Sequence, residues 1–446
     1  MKKYNQISLK ALFVLLCFAL SCISVSAQTY YQVYTKDKGM IQIPGFQINK
    51  VTIENNVLNF YGRNLFGDQI PILGWAGIPP EYSTTERYKE MADAGFTIDL
   101  PWQLCFNDSY ISGDPQKYFT ALDAAQANGM KVMVGAGVLD AFSPANRSKL
   151  LMHPALAGYA MKDEPSVDQY DDLGAWVKRV QAIDNVHPSY INLFANGTSS
   201  SNLGAANYTS YVQSYIAKVP VPFISFDKYP ITKSGSTRSL ASNFYENLEI
   251  ISSEAKEAGK PFWAFALSTE HGSYPRPTLA DLRLQIYSNL AYGAQGIQYF
   301  TYWHALENDY ALIDANGNRT DSYNIVKEMN QEIKGVSKVF LNSNVLWTAH
   351  TGTVPSGCTA LNISNVQNGI ITSFNISGGT GALVSRLENG SDNYLVIVNH
   401  DINSNITVTV AGTSALKCVQ KDGSVVSNNS SAQTLTPGDV IIYTWQ

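Results

Sequence analysis

The chain is poor in charge and in cysteine. Only 15% of its 446 residues are charged, where ordinary globular chains carry roughly a quarter, and five are Cys. Lys and Arg number 31 against 36 Asp and Glu, a net charge of -5. The first 27 residues hold three Lys and no acid, so the remainder carries 28 bases against 36 acids, net -8. No basic stripe is left to neutralise phosphates, so nucleic acid and anionic membrane surfaces are poor partners and no nucleic-acid partner is expected. Beyond residue 27 only Cys105, Cys358 and Cys418 remain, too few for a disulfide framework, and no Cys-x-x-Cys spacing suggests zinc. Cys358 and Cys418 share a C-terminal region and could pair. Two buried small apolar residues is the preferred reading. The six His are scattered, and no His-x-His follows the first apolar strand, as a metal-dependent barrel hydrolase would need.

Aromatics are plentiful: 26 Tyr, 18 Phe and 7 Trp, 11% of the chain. With 45% apolar residues this excludes a disordered chain. Low charge with many Tyr and Trp suits a neutral polar ligand with apolar faces, such as a sugar.

The N-terminus has the pattern of an export signal. Lys2, Lys3 and Lys10 precede an apolar run over 11–23, and Val25-Ser26-Ala27 supplies small residues for cleavage. Residues 1–27 are therefore expected to be removed and the chain exported, to the periplasm or beyond. Leu20-Ser21-Cys22 offers the alternative of a lipid anchor on Cys22. The run is too short to span a bilayer stably, and no other stretch is long enough.

From about 65 to 340 one pattern recurs: a short apolar run, a polar loop, an amphipathic helix. The runs are 70–75, 96–100, 131–135, 158–161, 190–194, 223–226, 262–267 and 297–302, with starts 26 to 39 residues apart. That spacing fits one strand plus one crossover helix. Helices are expected over 84–94, 118–128, 239–258, 278–292 and 322–340, four of them stopped by Gly95, Gly129, Gly259 and Gly293. Eight such units predict a (β/α)8 (TIM) barrel, not an open sheet, since Gly74-Trp75-Ala76-Gly77 is not a phosphate fingerprint. After 340 helical periodicity ends. Runs at 394–398, 406–410 and 440–445, with the turn pair Asp422-Gly423, predict an antiparallel β-sandwich over 341–446. Residues 28–64 read as a strand and hairpin layer.

Barrel chemistry gathers at the C-terminal strand ends. There the sequence places Trp75, Asp99 with Trp102, Lys162-Asp163-Glu164-Pro165, Asn196, Asp227-Lys228-Tyr229-Pro230, Thr269-Glu270-His271 and Tyr302-Trp303-His304. A Glu beside an apolar strand is costly unless paired or functional. Glu164 follows strand 4 and Glu270 follows strand 7, on opposite sides of the mouth. Two carboxyls converging on one bond is what glycosidic hydrolysis needs: one protonates the leaving oxygen and the other attacks. A Schiff-base role for Lys228 is disfavoured, because strand alternation puts it out of phase with Tyr229. Each Trp could equally be core.

On these residues the chain resembles the retaining glycoside hydrolases of clan A, the 4/7 superfamily, over about 65–340. Asp163-Glu164-Pro165 is similar to that group's Asn-Glu-Pro acid/base motif, Glu270 to its strand-7 nucleophile, Tyr229 to the Tyr that orients the nucleophile, and Trp303 to the floor of the subsite for the attacked sugar. The resemblance implies cleavage of β-glycosidic bonds, of β-glucan or β-galactoside type, with retention through an ester on Glu270. It requires no metal or cofactor. Substrate contacts are expected from Asp163, Tyr229, Trp303, Trp75, Asp99, Trp102, Asn196 and His271. Two departures stand out. Asp163 replaces an Asn, and its charge should raise the pKa of Glu164. No cation near the nucleophile is visible on strand 2 or 3. The partner is expected to be an oligo- or polysaccharide and the chain a monomer. The alternative reading is a non-catalytic glycan-binding protein on the same scaffold.

Overall fold

The computed structural model describes residues 68–446 except Asn308, together with the backbone of four strands further toward the N-terminus. The expected signal segment 1–27 and the alternative anchor Cys22 lie outside the described residues. The chain divides into two compact units, Met1–Leu65 and Phe66–Gln446. In the first, Tyr30–Thr35 pairs antiparallel with Gly39–Pro44, and Ile48–Glu54 with Val57–Gly62.

The second unit opens with a closed barrel of eight parallel strands. They are β1 (Ile72–Trp75), β2 (Ile98–Leu100), β3 (Lys131–Gly135), β4 (Leu156–Asp163), β5 (Ser189–Leu193), β6 (Ile224–Phe226), β7 (Phe262–Leu267) and β8 (Gly296–Phe300). β8 pairs with β1 and closes the ring. All eight expected runs are barrel strands. Their side chains alternate: Leu73, Ile98, Leu100, Met133, Tyr190 and Phe265 fill the barrel, while Ile72, Val132, Val134, Ile191 and Ala264 meet the helices.

The helices start and stop on local chemistry. Thr84 accepts from the Arg87 N–H, and Thr278 forms a capping box with Asp281. Gly259, at φ 62, lies just beyond the helix Phe244–Glu257, a conformation that glycine adopts at little cost. The expected helix over 239–258 overran. Residues 231–240 instead form a hairpin, Ile231–Ser234 with Thr237–Leu240, turned at Gly235 with φ 61. Arg238 pairs with Asp281 at 2.5 Å and ties the hairpin to the following helix, Leu279–Ala291.

The last barrel helix, Asp321–Phe340, leads into two antiparallel sheets. The larger orders Asn344–His350, Ala382–Asn389, Asp392–Asn399, Val440–Trp445, Lys417–Val419 and Val425–Ser427. The smaller holds Ile371–Ser377, Ile406–Gly412 and Gln433–Leu435. Val384, Leu395, Ile397, Val408 and Val410 pack between them. The alternate residues Leu383, Leu387, Tyr394, Val396 and Val398 of the larger sheet join the apolar core of the barrel helices, and Ser385 Oγ donates to the Ala291 carbonyl at 2.7 Å. Asp422-Gly423 forms the expected turn between Lys417–Val419 and Val425–Ser427. A Cβ at Gly335 would lie 2.2 Å from the Lys421 carbonyl oxygen, so glycine there lets the turn close on the last helix.

Cys358 and Cys418 are unpaired. Cys418 is buried in the sandwich core, whereas Cys358 is only half-buried and packs against the barrel-side core, which corrects the reading of two buried thiols. Among the described residues no helix is long and apolar enough to cross a membrane.

Asp99, expected to touch substrate, is instead fully buried. It accepts from the Tyr88 hydroxyl at 2.7 Å and the Ile78 N–H at 3.2 Å, and a Cβ on Gly77 would strike its carboxyl. Burial pushes its pKa up to about 7. Asp99→Ala would leave two buried donors without an acceptor and should cost about 1–3 kcal/mol in urea unfolding. The folded pKa exceeds the unfolded one, so this carboxyl's contribution to stability is full at low pH and declines as pH rises through about 7. Asp99→Asn should reduce that decline.

Candidate active site

A register shift between β4 and β5 sets the site geometry. Ala160 lies opposite Tyr190, but Lys162 lies opposite Ile191, so one extra residue is accommodated in β4. Such bulges re-aim side chains. Here the result places Asp163 beside Asn192, whose amide nitrogen donates to Asp163 Oδ1 at 3.2 Å and to Asp227 Oδ1, after β6, at 2.8 Å. Asn192 Oδ1 accepts from Ser225 Oγ at 2.8 Å. Ser225 in turn accepts from Gln298 at 2.8 Å, and Gln298 accepts from the Tyr190 hydroxyl at 2.6 Å. A buried polar chain thus runs from β8 through β6 to the ends of β4 and β5.

Glu164 follows directly. Its N–H donates to the Asn192 carbonyl at 2.9 Å, and its φ is 46. A non-glycine residue is uncommon there, and the following Pro165 disfavours it further. Strain held in this way concentrates at functional positions.

Three carboxyls share this end of the barrel. Asp163 is exposed to solvent, yet protein packed around its carboxyl desolvates it in part. Burial pushes it up to about 6, offset in part by the Asn192 hydrogen bond. Burial, then the Asp163 charge, pushes Glu164 up to about 7. Burial, then the charges of Glu164 and Asp163, pushes Asp227 up to about 8. The expected influence of Asp163 on Glu164 is present, though second to burial. Asp163 takes its hydrogen bond from Asn192, with Lys162 acting on it only as a nearby charge.

Across the mouth, Glu270 follows β7. Its carbonyl accepts from the Tyr310 N–H at 3.0 Å, and its carboxylate pairs with the Lys233 ammonium. The 231–240 hairpin brings Lys233 there, and Lys233 N–H donates to the Ser273 carbonyl at 2.7 Å. This is the cation that strands 2 and 3 lack. Aromatic rings line the wall from β6 to β8: Tyr229 meets Tyr274 at 5.5 Å and Phe300 at 6.0 Å, and His271 meets the same two at 5.0 and 5.3 Å. His271 Nδ1 lies 3.1 Å from the Thr269 carbonyl.

Other expected contacts fall elsewhere. Trp75 is 5% exposed and packs inside the barrel against Phe106, Phe265 and Tyr190. Trp303 is 4% exposed, with Tyr82 at 5.0 Å and the Arg87 guanidinium at 5.3 Å, so it presents no ring face. Trp102, 45% exposed, does present one. Asn196 is tied into the scaffold: its N–H donates to Asn247, its amide to Glu246, and its carbonyl accepts from Lys228 and Asn243. The Lys228 ammonium is thereby tied to the loop after β5. Asn192, Asp227 and Lys233 were not singled out as site residues by sequence. Asp227 carried a signal, an acid directly after an apolar strand.

A cavity of about 490 Å³ lies far from these carboxyls, between the last barrel helix and the sandwich. In it Lys338 pairs with Asp392 at 3.0 Å, and Trp445 lies under Arg386 at 4.5 Å.

No protein-family model matches the sequence, and no curated protein does. Solved structures do match in shape. A family 39 glycoside hydrolase from the gut symbiont Bacteroides cellulosilyticus WH2 superposes with TM-score 0.50 at 11% identity, over 95% of this chain and 89% of that one. A second glycoside hydrolase gives 0.52 at 11%, over 89% and 96%. An α-amylase from Geobacillus thermoleovorans, complexed with acarbose, gives 0.52 at 10%, over 86% and 99%. The fold is one that solved glycoside hydrolases share. At such identities the likeness concerns the barrel and its C-terminal sheets, while the carboxyl cluster is read from this chain's own residues.

The electrostatics can be tested directly. Carbon-detected NMR should find Glu164 titrating near 7. Asp163→Asn removes a negative neighbour and should lower that midpoint, leaving it above the usual 4.5 because burial persists.

Proposed function

We propose that the protein is a glycoside hydrolase that cleaves β-linked oligo- or polysaccharide, of β-glucan or β-galactoside type, with retention of configuration. The observation that carries this reading is Glu164: a carboxyl on a strained backbone at the end of β4, its pKa pushed up to about 7, so that a large share stays protonated near neutral pH. A carboxylic acid kept neutral can protonate a leaving oxygen. In the proposed cycle Glu164 gives its proton to the glycosidic oxygen as the bond from that oxygen to the anomeric carbon breaks. The Glu270 carboxylate attacks the anomeric carbon from the opposite face and forms an ester. Glu164, now ionised, takes a proton from water, whose oxygen displaces Glu270 and restores both residues. Lys233 keeps the Glu270 carboxylate oriented before attack, and its ammonium must yield as the ester forms. Asp163 accepts from a sugar hydroxyl, which an Asn could instead donate to. Tyr229 and His271 contact the attacked sugar, and the open ring of Trp102 stacks on a more distant one. The N-terminal pattern alone supports export, and a monomer suffices for this site.

A second reading, glycan binding without turnover, is favoured by the Lys233–Glu270 pair, which already neutralises the proposed nucleophile. A panel of polysaccharides and aryl α- and β-glycosides, read by chromatography and by NMR of the first anomer released, separates the two. Retained β-anomer is expected. Glu270→Ala should abolish turnover and preserve ligand binding. If no substrate is turned over but glycan binds, the second reading stands.

Glu164→Gln should lower kcat/KM on unactivated glycosides by about 10²–10⁴-fold, and by less on aryl glycosides whose leaving groups need no proton. Because Glu164 must be protonated to act, kcat/KM should fall as pH rises through about 7.

A further inference from the structure

Away from the barrel mouth, three side chains with metal-ligating atoms meet where the barrel joins the sandwich. Glu249 comes from the helix Phe244–Glu257, His350 from the end of the sandwich strand Asn344–His350, and Cys358 from the loop that follows. One carboxylate oxygen, one imidazole nitrogen and the sulfur all lie within 4.8 Å of one another. The loop is built to deliver the sulfur. Cys358 N–H donates to the Pro355 carbonyl at 3.2 Å, His350 N–H to the Thr359 carbonyl at 2.8 Å, and Leu361 N–H to the His350 carbonyl at 2.8 Å.

Between these atoms sits the Tyr292 hydroxyl, 2.9 Å from Glu249 Oε1, 3.0 Å from His350 Nε2 and 3.9 Å from Cys358 Sγ. When Nε2 of His350 is unprotonated, one hydroxyl proton cannot serve both it and the Glu249 carboxylate. A cation can. The second layer suits one. His350 Nδ1 lies 3.2 Å from His400 Nδ1, and His400 also bonds the Thr380 backbone. With Nδ1–H of His350 donating to His400, Nε2 keeps its lone pair for a metal, which is how ligand imidazoles are usually oriented. The Tyr245 ring stands edge-on to His350 at 4.7 Å and packs near His400 at 5.9 Å.

We propose that Glu249, His350 and Cys358 bind one zinc-class divalent cation that staples the barrel to the C-terminal sandwich, with the Tyr292 hydroxyl as neutral fourth donor. Sulfur, nitrogen and oxygen ligands of one tetrahedral zinc lie about 3.5 Å apart, so on binding the three groups close in by up to about 1 Å and the Tyr292 hydroxyl withdraws from between them to the fourth position. Binding releases the Cys358 thiol proton to solvent and leaves a thiolate on the metal. Glu249 and Cys358 are half-buried, which leaves the cation an approach from solvent. No step of the proposed glycosidase chemistry involves this site, so the two readings stand or fall separately.

The test uses the full chain, stripped by chelator and titrated with Co(II) as a spectroscopic stand-in for Zn(II). One equivalent should produce a tetrahedral visible spectrum and a thiolate-to-cobalt charge-transfer band, both erased by Zn(II). Cys358→Ala should lose the band, and His400→Ala should weaken binding about 10–100-fold. Zn(II) should raise the Tm of the wild type and not that of Cys358→Ala. If Cys358→Ala does not fold, Glu249→Gln, checked by circular dichroism, should show at least tenfold weaker binding with the band retained. Absence of a thiolate band in the wild type, or its persistence in folded Cys358→Ala through Cys105 or Cys418, overturns the proposal.

Discussion

The mouth of the barrel depends on one buried amide. Asn192 sits in a buried strand, and its nitrogen faces two carboxylates from the neighbouring strand ends. Without a donor there, Asp163 and Asp227 would be two like-charged carboxylates side by side, an arrangement that favours the neutral form of one of them. With it, the ends of β4, β5 and β6 are cross-linked, and Glu164, which hangs on the Asn192 carbonyl, is held in a backbone conformation it would not adopt alone. Ser225, Gln298 and Tyr190 complete the amide's hydrogen bonds from inside the barrel, so the arrangement is anchored in the core and not in a loop.

The two sides of the mouth differ in electrostatic design. On the β4–β6 side three acids share one corner of the mouth, and partial desolvation with mutual repulsion raises their pKa values toward neutral pH. On the β7 side a single carboxylate faces an ammonium brought by the hairpin. Two carboxyls in opposite electrostatic settings are what acid and nucleophile roles require of otherwise similar side chains.

The C-terminal sandwich shares the barrel's core through one face of its larger sheet. Period-two alternation puts Leu383, Leu387, Tyr394, Val396 and Val398 on the barrel helices and Val384, Leu395 and Ile397 in the sandwich interior. A sheet apolar on both faces needs two partners, and here the barrel is one of them. The Glu249, His350 and Cys358 cluster lies along the same seam.

Local pattern was enough to reveal the eight barrel strands, five of the helices and three of the nine sandwich strands, while the helices Tyr170–Ile183 and Tyr208–Lys218 went unread. Apolar runs, glycine stops and acids beside strands are all properties of a few neighbouring residues. What local pattern could not supply was partnership. Asn192 reads as an ordinary polar residue until register places it beside Asp163 and Asp227. Lys233 lies between the sixth apolar run and the helix expected from 239, where no element was expected; a hairpin turned at Gly235 and held by the Arg238–Asp281 pair brings it to the mouth only in the folded chain. Asp99, Trp75, Trp303 and Asn196 looked accessible because they follow strands, yet neighbours distant in sequence cover or engage them. Composition and periodicity determined which elements form. Barrel closure, the β4 register shift and the approach of distant loops decided which side chains meet, because burial and hydrogen bonding depend on contacts that no local stretch of sequence contains.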